Sequence, residues 1–279
     1  MNISPGVPRI HEYNQVVQST LFSEMEGFSG EFIRAHRSNL FFYSLRWSHD
    51  PLHHWSRQWE YPYVFAQIEP HLSARGDTVS KVLDAGSGIT FFPYFIMSRF
   101  HNIEVTCCDR DRYLNKVFEK INKRSRHNVR FEVQNLKNLA FSGREFDIVY
   151  CISVLEHTHD YELIIEKVRN ILKKNGLFIV TFDLSLDGNV DIPVDRANEL
   201  LGLLTKRFKP HDDFPQVLAE DIVQSPDIVT TDRLRDRNSN RSPWQIYRQT
   251  LQHVKSLVRL QKPQITNLSC FCCALKKVS

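Results

Sequence analysis

An α/β fold, a Rossmann-like sheet of seven mostly parallel strands flanked by helices, is predicted by three observations. Apolar runs of strand length alternate with amphipathic stretches from Val79 to Leu184. That is the pattern of strand–helix–strand units whose parallel strands are buried on both faces. The first run lies in KVLDAGSGIT, Lys81 to Thr90, where Asp84 precedes a Gly86-Ser87-Gly88 turn. Glycines let the backbone turn sharply, and they leave room for a ligand to approach main-chain N–H groups at a helix start. The next run, EVTCCD, ends on Asp109, 21 positions after Gly88. An acidic residue at that distance meets a ribose diol in nucleotide-binding units, because one carboxylate accepts from both hydroxyls.

The chain has 279 residues, enough for one large domain or a core domain with an added cap. Hydrophobic residues make up 42% and charged residues 24%, with a net charge of +4. The small, mixed charge permits an anionic substrate and does not call for nucleic acid. No apolar run approaches the ~20 residues a bilayer span needs, and MNISPGVPRI lacks the apolar core of a signal peptide. A cytoplasmic protein with no membrane span is expected. Cys107, Cys108, Cys151, Cys270, Cys272 and Cys273 form no C-x-x-C pair and lie in apolar runs. Buried thiols are expected, since neighbours on a strand point to opposite faces and suit a zinc site poorly.

Residues 1–77 read as helical. Glu31 to Trp47 carries Phe32, Leu40, Phe41, Phe42, Tyr43 and Trp47, and Trp55 and Trp59, four apart, share a helix face that Pro62 bends or restarts. These aromatics form either a packing layer on the sheet or a cover over the ligand. After the glycine turn, Phe92 to Phe100 is a helix with Pro93 in its opening turn. Glu104 to Asp109 is the second strand, Arg110 to Arg124 a helix and Val129 to Gln134 the third strand. Phe146 to Cys151 is the fourth. Tyr161 to Lys174 is an amphipathic helix through Ile164, Val168, Ile171 and Leu172, stopped by Asn175-Gly176. Leu177 to Leu184 is a fifth strand and Val194 to Phe208 a helix. A short strand at Asp227 to Thr231, the charged run RLRDRNSNR, an amphipathic helix over Pro243 to Leu260 and a closing strand over Leu268 to Lys276 follow. The expected organisation is a helical cap over 1–77 and a core over 78–279, with a substrate-facing insertion at about 185–262.

The glycine turn lacks the third glycine of a dinucleotide fingerprint, Phe91 standing there instead. Asp84 would repel a pyrophosphate but could orient an ammonium group. With LKNLAFSGREFDIVYCISVLEHT, the segment 79–184 resembles the class I S-adenosylmethionine-dependent methyltransferases. The resemblance implies S-adenosylmethionine as cofactor, with Asp84, Gly86, Gly88 and Asp109 holding it. Asn135 stands where relatives carry an acidic residue on the adenine amino group, and Leu136 offers a main-chain N–H and an apolar wall. Arg110 and Cys151 complete that set. The resemblance also implies an arginine or tyrosine from a helix before the core at the methionine end, for which Arg57 and Tyr61 are the candidates.

In-line methyl transfer from a sulfonium needs alignment and exclusion of water, and a base if the nucleophile is a hydroxyl. Asp183, ending the fifth strand, and then His157 are the catalytic candidates. Glu156 and His157 otherwise orient the loop, His159 and Asp160 cap the next helix, and Asp187 belongs to a turn with Gly188 and Asn189. Ser153 replaces the first carboxylate of the E-x-x-E-H motif with which plant-type small-RNA methyltransferases bind a metal, so none is expected. The expected function is O-methylation of a small metabolite or glycan-type acceptor, with nucleic acid disfavoured. RNA or protein methylation is the rival reading, using the run around Arg233 to Arg241. A non-catalytic module or an NAD-dependent oxidoreductase is the reading from another class.

Overall fold

The computed structural model describes residues 1–47, 50–188, 191–237 and 267–278. Helices α1 (Ile10–Val17), α2 (Thr20–Arg46) and α3 (Arg57–Ser73) precede strand β1 (Ser80–Ala85). Then come α4 (Phe92–Arg99), β2 (Ile103–Asp109), α5 (Tyr113–Asn122), β3 (Arg130–Val133), β4 (Phe146–Ile152), α6 (Tyr161–Ile171) and β5 (Leu172–Ser185). Next are β6 (Ile192–Pro193), α7 (Val194–Arg207), β7 (Lys209–Pro210), α8 (Glu220–Gln224), α9 (Thr231–Arg237) and β8 (Leu268–Lys276). The sheet order is β3-β2-β1-β4-β5-β8-β7, with β6 paired to β5 off that path. Strands β1 to β5 run parallel, while β8 is antiparallel to β5 and β7 to β8. The predicted mostly parallel sheet is therefore present, with the two-residue strands β6 and β7 as additions.

Period-2 alternation splits the apolar strands between two layers. Val82, Ile148, Tyr150 and Ile179 face the layer built by α3, α4 and α5, while Leu83, Val149, Cys151, Phe178 and Val180 face that of α6 and α7. All six cysteines are buried and free, and Cys272 and Cys273 fall on opposite faces of β8.

Several local expectations fail for tertiary reasons. Helix α3 runs unbroken through Pro62 and Pro70, and Trp55 precedes it, so Trp55 and Trp59 share no helix face. Tolerance of Pro62 follows from burial: Trp59 to Ile68 are all buried, and packing holds the helix where its own ladder lacks a donor. The aromatics of α2 divide. Phe32 and Leu40 are buried, whereas Phe41, Phe42 and Trp47 are 54%, 68% and 45% exposed. Helix α6 stops at Ile171, before Asn175-Gly176, because Lys277 Nζ donates to the carbonyls of Arg169 and Leu172 at 2.5 and 2.6 Å, and Leu172 joins β5. Asp160 makes no side-chain cap at its start; it pairs with Lys137 instead. Helix α5 starts at Tyr113, whose N–H donates to Asp111 Oδ1 at 3.0 Å. Asp227 to Thr231 forms no strand: Ile228 makes a single bridge to Arg9. Helix α9 takes Thr231–Arg237, while the rest of the basic run, Asn189 and the helix expected over 243–260 lie outside the described residues. No described helix is long and apolar enough to cross a membrane.

Candidate functional site

The carboxyl ends of β1, β2, β4 and β5 gather most of the residues singled out in the sequence. After β1 the chain takes left-handed φ values of 79° at Gly86 and 53° at Gly88, which only glycine adopts without strain. Gly86 N and Ser87 N donate to the Cys108 carbonyl at 2.9 and 3.0 Å, and Gly88 N donates to Asp109 Oδ2 at 3.1 Å. Asp109 Oδ1 accepts from Asp111 N at 3.0 Å, so this one carboxylate ties the turn to the end of β2.

The space over both glycines is not left open, contrary to expectation. A side chain at Gly86 would meet Val154 Cγ2 at 2.7 Å, and one at Gly88 would collide with the Tyr43 hydroxyl. Tyr43 comes from the last turns of α2. Burial raises its pKa to about 12, an Ile89 main-chain hydrogen bond opposing. It was not among the candidates. Its helical phase with the buried His36 and Leu40, at i, i+4 and i+7, was the one signal.

Asp84 is 5% exposed, and burial raises its carboxyl to about 8. The neighbouring Tyr150 hydroxyl pulls it down and Asp109 pushes it up. Leu136 and Cys151 are buried beside these strand ends, while Arg110 is exposed. Asn135 is also exposed, with Oδ1 taken by Lys137 N at 3.0 Å.

Helix α3 brings an ion pair across the sheet. Glu60 has no exposed surface; its Oε2 pairs with Arg57, and its Oε1 accepts from Thr181 Oγ1 at 2.5 Å and Ser153 Oγ at 2.8 Å. Arg57 also donates to Ser153 Oγ at 2.5 Å and Ser56 Oγ at 3.0 Å. Burial works against both charges. For Arg57 the Glu60 carboxylate outweighs it; for Glu60 the guanidinium and the hydroxyl bonds do, and its pKa falls. Arg57 thus stands at the strand ends already matched by a counter-ion. Tyr61 packs its ring on Phe92 and Phe91, at 4.7 and 5.3 Å between centroids, and burial raises its hydroxyl pKa.

Asp183 is half-buried, and desolvation and Glu60 raise it to about 8, with Arg57 opposing. Its N–H donates to Glu156 Oε1 at 3.4 Å. Glu156 is 7% exposed and its pKa lies well above the usual range, through burial and then the Asp183 charge. Glu156 Oε2 and Asp183 Oδ1 are buried with no hydrogen-bond partner. His157 is exposed; desolvation, Arg57 and Arg110 disfavour its imidazolium and Asp191 opposes them. Glu60, Ser153 and Thr181 escaped the sequence reading because nothing local marks a bond across 93 or 121 positions. No described His, Cys, Asp and Glu residues are grouped to hold a metal ion. A cleft of about 560 Å³ lies elsewhere, between α6 and α7, lined by Tyr161, Glu162, Glu166, Glu199 and Leu203 among others.

A methyltransferase domain family matches residues 83–180. The tRNA U34 carboxymethyltransferase of Campylobacter concisus (strain 13826) is 23% identical over 145 residues, 51% of this chain and 49% of that protein. The protein of the same name from Campylobacter curvus (strain 525.92) is 24% identical over 132 residues, 47% of this chain and 43% of its own length. The chain thus spans about half, or less, of the length of these curated relatives. Among solved structures, the Haemonchus contortus phospholethanolamine N-methyltransferase 2 complex with S-adenosylhomocysteine aligns at a TM-score of 0.53 and 17% identity, covering 90% of this chain and 60% of that one. Geranyl diphosphate C-methyltransferase from Streptomyces coelicolor A3(2) aligns at 0.50 and 15%, covering 77% and 80%. At these identities the structural likeness is one of fold.

Proposed function

We propose, from the methyltransferase domain family matched over residues 83–180, that this methyltransferase is of the class I S-adenosylmethionine-dependent kind and methylates a hydroxyl of a small or glycan-type acceptor. The observation that carries the reading is Asp183. It is a half-buried carboxyl at the end of β5, brought to about 8 chiefly by desolvation and the Glu60 charge, with Oδ1 unpartnered. A group poised near the working pH both accepts and releases a proton readily.

The residues present fit the donor. Asp84, buried and costly to ionise alone, gains most from an ammonium group beside it. Asp109 would take the ribose hydroxyls, and Asn135 and Leu136 the adenine edge. Cys151 and Arg110 border the same strand ends. Arg57 would meet the methionine carboxylate with Glu60 fixing its guanidinium, and Tyr61 would back that end of the pocket. When bound, S-adenosylmethionine would supply an activated methyl carbon, whose transfer to the acceptor oxygen would be balanced by breaking of the carbon–sulfur bond and departure of the neutral thioether. Asp183 takes the hydroxyl proton, and His157, exposed and held toward its neutral form, relays it to solvent. The helices of 1–77 and the insertion beginning near 185 serve in this reading as the cover that excludes water.

A second reading has its own support. The curated relatives are named as acting on tRNA, which restores a nucleic-acid acceptor that the modest net charge had disfavoured. Phe41 and Phe42, on the turns of α2 beside Tyr43, and Trp47, just past its end, are exposed, with Arg34 and Arg37 exposed further up the helix. Aromatic faces beside cations suit unstacked bases. Incubation with S-adenosylmethionine labelled in its methyl group, followed by separation of a cell extract into RNA, protein, glycan and small-molecule fractions, decides between them. Label in the glycan or small-molecule fraction, lost in Asp183→Asn, supports the first reading. Label in RNA, with a steep salt dependence of binding, supports the second.

A further inference from the structure

We propose that Glu156 and Asp183 act as one acceptor subsite, two carboxyl groups that hold a single proton between them and take an acceptor presenting two adjacent hydroxyls. The proposal rests on the methyl-transfer reading above and gives it a substrate class.

The two side chains come together because their strands are parallel neighbours: Cys151 pairs with Val180 and Ile152 with Thr181, so the residues leaving β4 sit beside those ending β5. Glu156, in the short helical turn Leu155–His157, points one oxygen at the Asp183 main-chain N–H. Its second oxygen and Asp183 Oδ1 are left buried and unpartnered. A buried carboxylate oxygen with no donor is costly. The surrounding groups cannot neutralise both residues. From α3, Arg57 is matched by Glu60, itself an anion. Asp191, ahead of β6, adds a further negative charge near Asp183, Cys270 on β8 faces it as a neutral thiol, and His157 is held toward its neutral form. Burial and then the Asp183 charge raise Glu156, while Asp183 is raised by burial and then by Glu60, so two carboxyls in that position ionise in sequence rather than together.

A pair carrying one proton offers one donor and several acceptor positions. Adjacent hydroxyls match it. One donates to the ionised oxygen and is the nucleophile; the other accepts from the protonated carboxyl and fixes the acceptor's orientation. On transfer the nucleophile's proton passes to the ionised member as its oxygen–methyl bond forms, and the pair returns to one proton by release to water. An acceptor with a single hydroxyl would leave one buried oxygen unpaired, and a quaternary ammonium would favour two ionised carboxylates.

Infrared titration of the full chain tests the pair without donor or acceptor. In an Asp84→Asn background, which removes the other carboxyl held protonated at pH 7, a protonated-carboxyl band is expected at neutral pH, and in added Glu156→Gln and in added Asp183→Asn the surviving carboxyl should titrate at lower pH than in that background. Midpoints that ignore the neighbouring substitution overturn the shared proton. For substrate class, saturation-transfer NMR on protein loaded with S-adenosylhomocysteine compares methyl α-mannopyranoside, its 2-deoxy analogue and choline. The diol is expected to bind at least tenfold more tightly than the deoxy compound in the parent and to lose that advantage in Glu156→Gln. No binding of the diol, or tighter binding of choline, overturns the class. Failure of S-adenosylhomocysteine to bind would sink the methyl-transfer reading itself, while the infrared result would still speak for or against the pair.

Discussion

The Thr181 hydroxyl donates to Oε1 of Glu60 at 2.5 Å, joining the end of β5 to a helix 121 positions earlier in the chain. Arg57 and Ser153 complete the junction, so a single buried carboxylate sets how α3 lies on β4 and β5. Glu60→Ala leaves the largely buried Arg57 uncompensated and is expected to cost about 3–5 kcal/mol. The Arg57→Ala, Glu60→Ala double variant should lose less than the sum of the two single changes. Denaturant unfolding reads both. Because the Glu60 pKa is depressed, its contribution is full above the ordinary glutamate value of about 4.3 and fades as pH falls through the lower folded value.

Asp183 has the opposite sign. Its folded value of about 8 exceeds the ordinary aspartate value of about 3.9. The folded chain therefore binds more protons between those limits, and stability declines as pH rises through them. Asp183→Asn removes that decline. At pH 8 it should raise Tm by roughly 2–4 °C, the shift expected of about 1 kcal/mol in a chain of this size, while methyl transfer falls. Scanning calorimetry at pH 5 and pH 8 checks it: an equal Tm difference at both values would contradict the assignment.

Asp84 should make donor binding pH-dependent. Held near 8 by burial, it is protonated at pH 7 and must ionise to meet an ammonium group. S-adenosylhomocysteine affinity is expected to rise about tenfold per pH unit from 6 toward 8, then level off. Calorimetry in two buffers of different ionisation enthalpy should detect close to one proton released at pH 7. Asp84→Asn should bind more weakly and show no release from this group.

At the glycine turn, Gly88→Ala combines a strained φ of 53° with a collision against the Tyr43 hydroxyl. The backbone part costs about 1–2 kcal/mol. The collision adds to it only while Tyr43 is present. A double-variant cycle with Tyr43→Ala should therefore show Gly88→Ala to be less damaging in the truncated background. Equal cost in both backgrounds would mean that the tyrosine yields freely.

The sheet was legible because each central strand carries its own record: apolar on both faces, bounded by turn residues, with Asp84 and Asp109 at the ends. Helix ends were less so. Asn175-Gly176 looks like a stop, yet Lys277, a hundred positions away, closes α6 earlier by taking its last carbonyls. Pro62 reads as a break, yet α3 is buried deeply enough to run through it. Among the candidate residues, Asp84, Gly86, Gly88, Asp109 and Asp183 could be placed at or just beyond strand ends from sequence because strand ends are local features. Tyr43 and Glu60 were not legible, since each acts on a partner that only folding brings near.

By itself, then, the sequence determined the doubly wound core and the strand ends at which a donor would sit, because hydrophobic period and turn chemistry are written over a few residues at a time. Only the tertiary structure decided what stands over those ends: Tyr43 against Gly88, and the Glu60–Arg57 pair above Ser153 and Thr181. It also raised the pKa of Glu156 and of Asp183 above the ordinary carboxyl range. That displacement follows from how much water and how many like charges the folded chain leaves around each carboxyl.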